Sequence, residues 1–303
     1  NLLSWNCRGG GNTRTVRELA TLCQSHSPTL VFLCETRQKA DKLKRIRARL
    51  GLKGFCGMDS NGMSGGLALY WHESYDVQIL DKKERYIDAL VRIHPDAEQW
   101  RVTCVYGEPR VENRHLMWEK LQRLRNTSDA PWLVVGDFNE AMWQNEHFSR
   151  IKRAQKLMAN FRAILSECNL FDLGFHGVPR TYNNKQEGNK NVKVRLDRAV
   201  ACRQWSSIFL DCKVSHIIIS RSDHCPLLIE LMGVQRPGVF VKQLKYEAYW
   251  QREDAALKAQ IDTCWNKSVT VTDMGDVANK LYNLMKSLHG WSKVHIGYLP
   301  KKT

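Results

Sequence analysis

No apolar stretch in this chain reaches the roughly 18 to 20 residues that a membrane-spanning helix needs, and no basic block sits beside one. A membrane-spanning protein is not expected. The amino terminus has neither the basic segment nor the apolar run of a signal peptide; it begins at Asn1 rather than Met and enters a strand-like run at once, which reads as the start of a fragment. Close cysteine spacing is also absent. Cys7, Cys23, Cys34, Cys56, Cys104, Cys168, Cys202, Cys212, Cys225 and Cys264 mostly lie in apolar runs, so reduced, buried thiols in a reducing compartment are expected rather than disulfides or structural zinc. No internal repeat or low-complexity tract is evident.

What is present is a chain of 303 residues, 43% hydrophobic, long enough for one large core or two smaller domains. Lysine and arginine number 46 against 31 acidic residues, giving +15 and a pI near 9.4. Such a balance suits a polyanionic partner, either nucleic acid or an anionic membrane surface, and charge alone does not choose between them.

Short apolar segments alternate with amphipathic ones up to residue 232. Strands are expected at 1–5, 30–34, 66–71, 89–93, 102–106, 132–136 and 227–231, and helices at 13–25, 114–125 and 155–168. This mixture indicates sheets covered by helices. The segment GVQRPG, residues 233–238, reads as a linker because its glycines and proline end a strand and release the chain. Residues 239–303 then read as a helical extension. Its helices are expected at 246–265 and 277–291, with Trp250, Leu257, Ile261, Trp265, Leu281, Leu284, Met285, Leu288 and Trp291 on apolar stripes.

Polar residues recur where strands should end, which is where open α/β sheets present their sites. Asn6 follows the first strand, Glu35 the second, Asp137 and Asn139 follow 132–136, and Asp223 with His224 precede the last strand. Each has a bland reading. Asn6 could make a turn, Asp137 with Asn139 a strand-end Asx turn, Glu35 could cap a following helix, and His224 could be part of a polar turn. Together, carboxylates, amides and one histidine at successive strand ends are the parts of a metal-dependent phosphodiesterase.

WNCRG at 5–9, CETR at 34–37, VYG at 105–107, GDFN at 136–139, RLDR at 195–198 and SDH at 222–224 resemble, in this order, the endonuclease/exonuclease/phosphatase superfamily. More narrowly, SNGMSGGLALYW at 60–71, RTYNN at 180–184 and YEAYWQRE at 246–253 resemble the endonuclease region of LINE-type non-LTR retrotransposon polyproteins, of the kind abundant in plant genomes. The resemblance implies a deoxyribonuclease-I-like, four-layer α/β sandwich: two mixed sheets face to face with helices outside, here followed by the helical extension. It also implies roles. Glu35, with Asn6 and Asp223 nearby, is expected to hold a divalent ion, Mg²⁺ with Mn²⁺ as a substitute. Asp137 is the expected general base and Asn139 holds the attacking water or the phosphate. Asp197 pairs with His224 and favours its imidazolium, and Tyr106 donates to a phosphate oxygen. Arg8, Thr181 and Asn184 are candidates for DNA contact.

Two alternatives stand beside these roles. Asp197 could instead pair with Arg195 or Arg198, and the basic residues Arg37, Lys39, Lys42, Lys44, Arg45, Arg47 and Arg49 read as a solvated helix face more than as a DNA clamp. Gly65 and Gly66 read as a tight turn. The expected activity is nicking of double-stranded DNA to leave a 3′-hydroxyl and a 5′-phosphate, used in the nucleus to prime reverse transcription. Element RNA would be engaged through a polymerase expected beyond residue 303. The rival readings are an abasic-site endonuclease or phosphatase of the same superfamily, and an inactive remnant that only binds nucleic acid.

Overall fold

The structure, a computed structural model, describes residues 1–62, 64–219, 222–231, 254–266 and 274–295. The expected linker at 233–238, the YEAYWQRE motif and Trp250 lie outside these residues. The chain divides into two compact units, Asn1–Gln235 and Arg236–Thr303.

In the first unit the strands, in chain order, are β1 Leu2–Asn6, β2 Leu30–Cys34, β3 Gly54–Asn61, β4 Ser64–Trp71, β5 Asp76–Lys83, β6 Tyr86–Arg92, β7 Trp100–Tyr106 and β8 Trp132–Asp137. The short strands β9 His147–Phe148, β10 Phe171–Asp172, β11 His176–Gly177, β12 Tyr182–Asn183 and β13 Lys193–Val194 follow. Then come β14 Asp197–Ala201, β15 Lys213–His216 and β16 Leu227–Glu230. One sheet has the order β11-β15-β16-β1-β2-β4-β3 and the other β10-β14-β8-β7-β6-β5, with a small β12-β13-β9 sheet beside them. Both large sheets are mixed: β1 runs parallel to β2 and β7 parallel to β8, among antiparallel neighbours.

Side-chain alternation along these strands builds the layers. On β1 and β2, Leu2, Leu30 and Phe32 face the other sheet, where they meet Val102, Leu133, Val135 and Ala199 in one buried core. The opposite set, Leu3, Trp5, Val31 and Leu33, packs under helix α1, Thr13–His26, and helix α2, Ala40–Lys44, through Leu19, Leu22 and Leu43. On the far side, Val105, Val134 and Val200 pack under α3, Arg114–Arg125, and α4, Gln155–Glu167, through Met117, Leu121 and Phe161. Strands buried on both faces read as continuous apolar runs, which is why β2 lies where its sequence places it. The result is a four-layer α/β sandwich.

The strands that the apolar pattern does not announce have identifiable reasons. β5 is a sheet edge whose burial alternates and which ends in Lys82 and Lys83, charges that discourage further pairing. β14 carries Arg198, fully buried on the outer face because it pairs with Glu146 and Asp172 at 2.8 and 2.7 Å. Arg195 joins the same two acids, so neither arginine pairs with Asp197. All ten cysteines are free, and six are buried.

A short helix α5, Arg203–Ile208, belongs to the first unit. The second unit contains α6, Asp254–Asn266, and α7, Met274–His295. Leu257, Leu288 and Trp291 are buried together, with Ile261, Leu284 and Met285 packed against them, while Trp265 and Leu281 stay 38% and 48% exposed. No helix among the described residues is long and apolar enough to cross a membrane.

Candidate active site

The period of two that builds the inter-sheet core also aims the polar strand ends. Tyr106, Asp137 and Asp197 share the facing side of their strands with Cys104, Val135 and Ala199, and Asn6 shares it with Leu2, so each continues a core row at its rim. Sheet register aligns them further: Tyr106 is paired with Asp137, and Asp137 with Asp197, on adjacent strands.

Asn6 links the two sheets. Its Nδ2 donates to Asp137 Oδ2 at 2.8 Å and to Glu35 Oε2 at 3.1 Å. Asp137 Oδ1 accepts the backbone N–H of Asn139 at 2.8 Å, and Asn139 Nδ2 donates to the Gly107 carbonyl at 3.0 Å. The Asx turn is therefore present, and it clamps a buried carboxylate. Asn6 makes its turn as well, with Oδ1 accepting the Arg8 N–H at 3.3 Å.

His224 is buried, and its Nδ1 lies 2.8 Å from Asp197 Oδ2, which fixes Nδ1–H as the donor to that carboxylate. Its Nε2 is 4.0 Å from Asp137 Oδ2, too long for a hydrogen bond. Tyr182 lies beside the imidazole with ring centres 5.0 Å apart, and a β-bridge joins the two residues. Thr181 is buried, and its hydroxyl accepts the N–H groups of Leu196 and Asp197, each at 3.0 Å. That hydroxyl seats the start of β14 and faces no solvent. Asn184 closes its own hairpin, accepting the Val192 N–H at 2.9 Å and donating to the Lys190 carbonyl at 2.9 Å.

Glu35 does not cap a helix; α2 begins at Ala40, and its N-cap residue is Lys39, with no side-chain cap. Instead Glu35 pairs with Arg37 and Arg8, and Arg8 also pairs with Asp223. Arg37 thus departs from the expected solvated helix face: it precedes α2 and turns onto Glu35. Both residues hold left-handed backbone, φ 51° and 52°, so the contact comes from a local turn and not from strand alternation, a signal CETR does not carry. Arg85 had no signal either. It lies over the Tyr106 ring at 5.0 Å and pairs with Glu108 at 2.6 Å, an arrangement created only by the β6–β7 pairing.

Charge is strongly redistributed here. Burial and the neighbouring Asp197 carboxylate raise Asp137 to about 6, against the hydrogen bonds from Asn6 and Asn139 and the pull of His224. Burial alone would lower His224, but the carboxylates of Asp197, Asp137 and Asp223 outweigh it and raise it to about 9. Burial opposes ionisation of Glu35, yet Arg37, Asn6 and Arg8 hold it below its ordinary value. Burial raises the Tyr106 phenol, as do the charges of Glu35 and Asp137, so the group stays a donor.

The backbone is strained in the same place. Arg8, Glu35, Arg37 and Asn139 have φ of 39°, 51°, 52° and 56°, four of the seven non-glycine residues with positive φ among those described. Gly65 and Gly66, at φ +72° and +84°, lie inside β4 rather than in the expected turn before it; a Cβ on Gly66 would meet Thr36 Oγ1 at 2.3 Å.

Two donor sets could take a cation. Asp137, Asp197 and His224 offer atoms within 4.8 Å of one another, forming a buried acidic and histidine group. Glu35, Asp223 and the carboxamide oxygen of Asn6 form an oxygen set; Glu35 now pairs with Arg8, Arg37 and the Asn6 amide, and Asp223 with Arg8. Hard oxygen donors fit a small divalent ion, which would take the place of those guanidinium groups.

The sequence pattern of the Endonuclease/Exonuclease/phosphatase family matches residues 3–224. No curated protein sequence matches the chain. Among solved structures, an AP endonuclease from Archaeoglobus fulgidus is similar with a TM-score of 0.61 at 18% identity, over 76% of this chain and 98% of that one. The 3′ phosphatase NExo from Neisseria, bound to a product DNA hairpin, gives 0.58 at 17% identity over 76% and 98%. The endonuclease domain of TRAS1, a telomere-specific non-LTR retrotransposon, gives 0.55 at 16% identity over 78% and 99%. At these identities the likeness is one of fold.

Proposed function

Because the chain belongs to the Endonuclease/Exonuclease/phosphatase family, we propose that it is a divalent-metal-dependent endonuclease that nicks double-stranded DNA and leaves a 3′-hydroxyl and a 5′-phosphate. The observation that carries this reading is the row of buried Asp197, His224, Asp137 and Asn6 with half-buried Glu35, which spans the rim of both sheets and separates an acid from a base.

Asp137 takes the proton of the attacking water. Asn6 and the Asn139 N–H hold its carboxylate in place, and its raised pKa makes it a better base than an ordinary carboxylate. His224, charged near neutrality and fixed through Nδ1 by Asp197, offers Nε2–H to the charge that develops on the phosphate. The Tyr106 hydroxyl donates to a phosphate oxygen. Arg8, 45% exposed at the rim, is the side chain best placed to meet the incoming strand.

Mg²⁺ is the cation proposed, held by Glu35, Asp223 and the carboxamide oxygen of Asn6. When bound, it neutralises phosphate charge and stabilises the departing 3′ oxygen. The group of Asp137, Asp197 and His224 is the weaker metal site, since a protonated imidazole has no lone pair to give. The ordered motifs further support an origin in a non-LTR retrotransposon, where the 3′-hydroxyl would prime reverse transcription in the nucleus.

Supercoiled plasmid incubated with Mg²⁺ should be converted to the nicked form, and chelator should stop the conversion. Parallel incubations with an abasic duplex and with phosphomonoesters separate the other family activities. Turnover of those substrates alone would overturn the endonuclease reading.

A further inference from the structure

Asp197 is the first residue of β14, and its carboxylate sets the orientation of His224. The chain that delivers it to this strand end is held from both sides. The Arg195 N–H donates to the Glu146 carbonyl at 3.1 Å, the N–H groups of Leu196 and Asp197 donate to the Thr181 hydroxyl, and the Leu196 carbonyl accepts the Phe138 N–H at 2.9 Å. The Arg195 carbonyl accepts Arg198 Nη2 at 2.9 Å, so a side chain reaches back over the preceding residues and brackets Asp197.

Behind this segment Arg195 and Arg198 form a closed ring with Glu146 and Asp172. Arg198 donates through Nη1 to Asp172 at 2.7 Å and through Nη2 to Glu146 at 2.8 Å, while Arg195 donates through Nη2 to Asp172 at 2.7 Å and through Nη1 to Glu146 at 3.2 Å. Glu146 also accepts the Met142 N–H at 2.6 Å, and Asp172 accepts that of Gly174 at 2.8 Å. Arg195 and Arg198 are 4% and 0% exposed, with the rings of Phe175 and Phe161 against them, so neither guanidinium is open to a ligand. Burial opposes ionisation of both acids, yet the arginines hold both below their ordinary values. Successive residues of a strand face opposite ways, so Asp197 looks into the site while Arg198 anchors the same backbone from behind.

Desolvating buried charges can cost as much as their pairing gains, so such a ring is weak grounds for stability, and an apolar set would hold the sheets as well. An apolar set would not supply direction. The planar fork of Arg198 meets two acids and the Arg195 carbonyl at fixed angles. We propose that the ring of Glu146, Asp172, Arg195 and Arg198 is a positioning device that fixes Asp197 against His224, with Glu146 and Arg198 as positioning residues that touch no substrate. Its effect on nicking rests on the endonuclease reading; its effect on the pairing of Asp197 with His224 does not.

The test uses the full chain and two variants: Glu146→Gln, which keeps an acceptor for the Met142 N–H, and Arg198→Lys, which keeps the charge and loses the fork. Circular dichroism and urea denaturation check that each is folded, and Asp197→Asn serves as the reference. The first readout is the His224 Nδ1–H proton resonance in protein carrying ¹⁵N-labelled histidine, assigned by its absence from His224→Ala. It should shift or broaden by solvent exchange in both variants, as in Asp197→Asn, because a displaced carboxylate no longer holds that proton. The second readout is steady-state nicking. Here kcat should fall about tenfold, less than an ångström of misplacement can cause, with KM for the duplex unchanged. The double variant Glu146→Gln/Asp197→Asn should be no slower than Asp197→Asn alone, since residues acting through one pairing are not additive. A folded Glu146→Gln protein whose resonance stays in place overturns the proposal, and so do losses that multiply in the double variant or wild-type kcat in folded Arg198→Lys. If Arg198→Lys does not fold, Glu146→Gln decides alone. A wild-type chain that shows the resonance but nicks no duplex removes the endonuclease reading and leaves the ring to be judged by the resonance.

Discussion

Asp137 is buried, and its Oδ2 accepts only the Asn6 carboxamide and, at 3.4 Å, that of Asn139. A base acts in the transition state, so Asp137→Ala should lower nicking by about 100-fold or more while duplex affinity persists. Near-wild-type nicking by that variant would remove Asp137 from the mechanism. The pH dependence follows from the two shifted groups. Asp137 must be ionised to accept a proton, so the rate should rise as pH passes about 6, and His224 must be protonated, so the rate should fall as pH passes about 9. Asp197→Asn keeps a hydrogen-bonding group but removes the charge that raises His224. The alkaline limb should therefore move toward neutrality, with a milder loss at its optimum than His224→Ala shows. An alkaline limb that stays in place would break the proposed pairing.

Among the elements, β8 and β14 set the catalytic spacing, and each depends on one small feature. Gly136 has φ +142°, and a Cβ there would meet the Val105 carbonyl of the adjacent strand at 2.1 Å. Gly136→Ala should cost at least about 1 to 3 kcal/mol of stability, read from urea denaturation, because the strained conformation and the displaced strand add. Thr181→Val conserves shape while removing the acceptor of two buried N–H groups, at about 1 to 3 kcal/mol for each group left unpaired. It should slow nicking through Asp197 and leave the salt dependence of DNA binding unchanged. A reduced salt slope would instead return Thr181 to the DNA surface, the role its sequence suggests. Burial is what separates the two roles, and RTYNN alone carries no information about it.

Across the whole molecule, the four core clusters of the first unit draw on side chains between Leu2 and Leu231, and every proposed catalytic or metal-holding residue lies at or before His224. Residues 1–235 alone should thus fold cooperatively and retain metal-dependent nicking. Limited proteolysis of the full chain should release an active fragment ending near that boundary. A fragment that aggregates or fails to nick would show that the second unit completes the first.

Composition, alternation and the order of six short motifs determined the class of fold and the candidate residues, because apolar periodicity reports burial locally and strand-end polarity reports a rim. Leu30–Cys34 and Arg114–Arg125 were legible to the residue for this reason. Strands β5 and β14 were not, since one is a solvated edge and the other hides a buried arginine whose acidic partners are 26 and 52 residues away. The same distance in sequence hid Arg85 over Tyr106 and the seating of Asp197 by Thr181. Which arginine joins which carboxylate, which polar group is buried, and how far a proton acceptor stands from an imidazolium depend on contacts between strands remote in the chain. Only the packing of the two sheets decides those, because dielectric and distance, and with them every shifted charge at the site, are properties of the assembled rim.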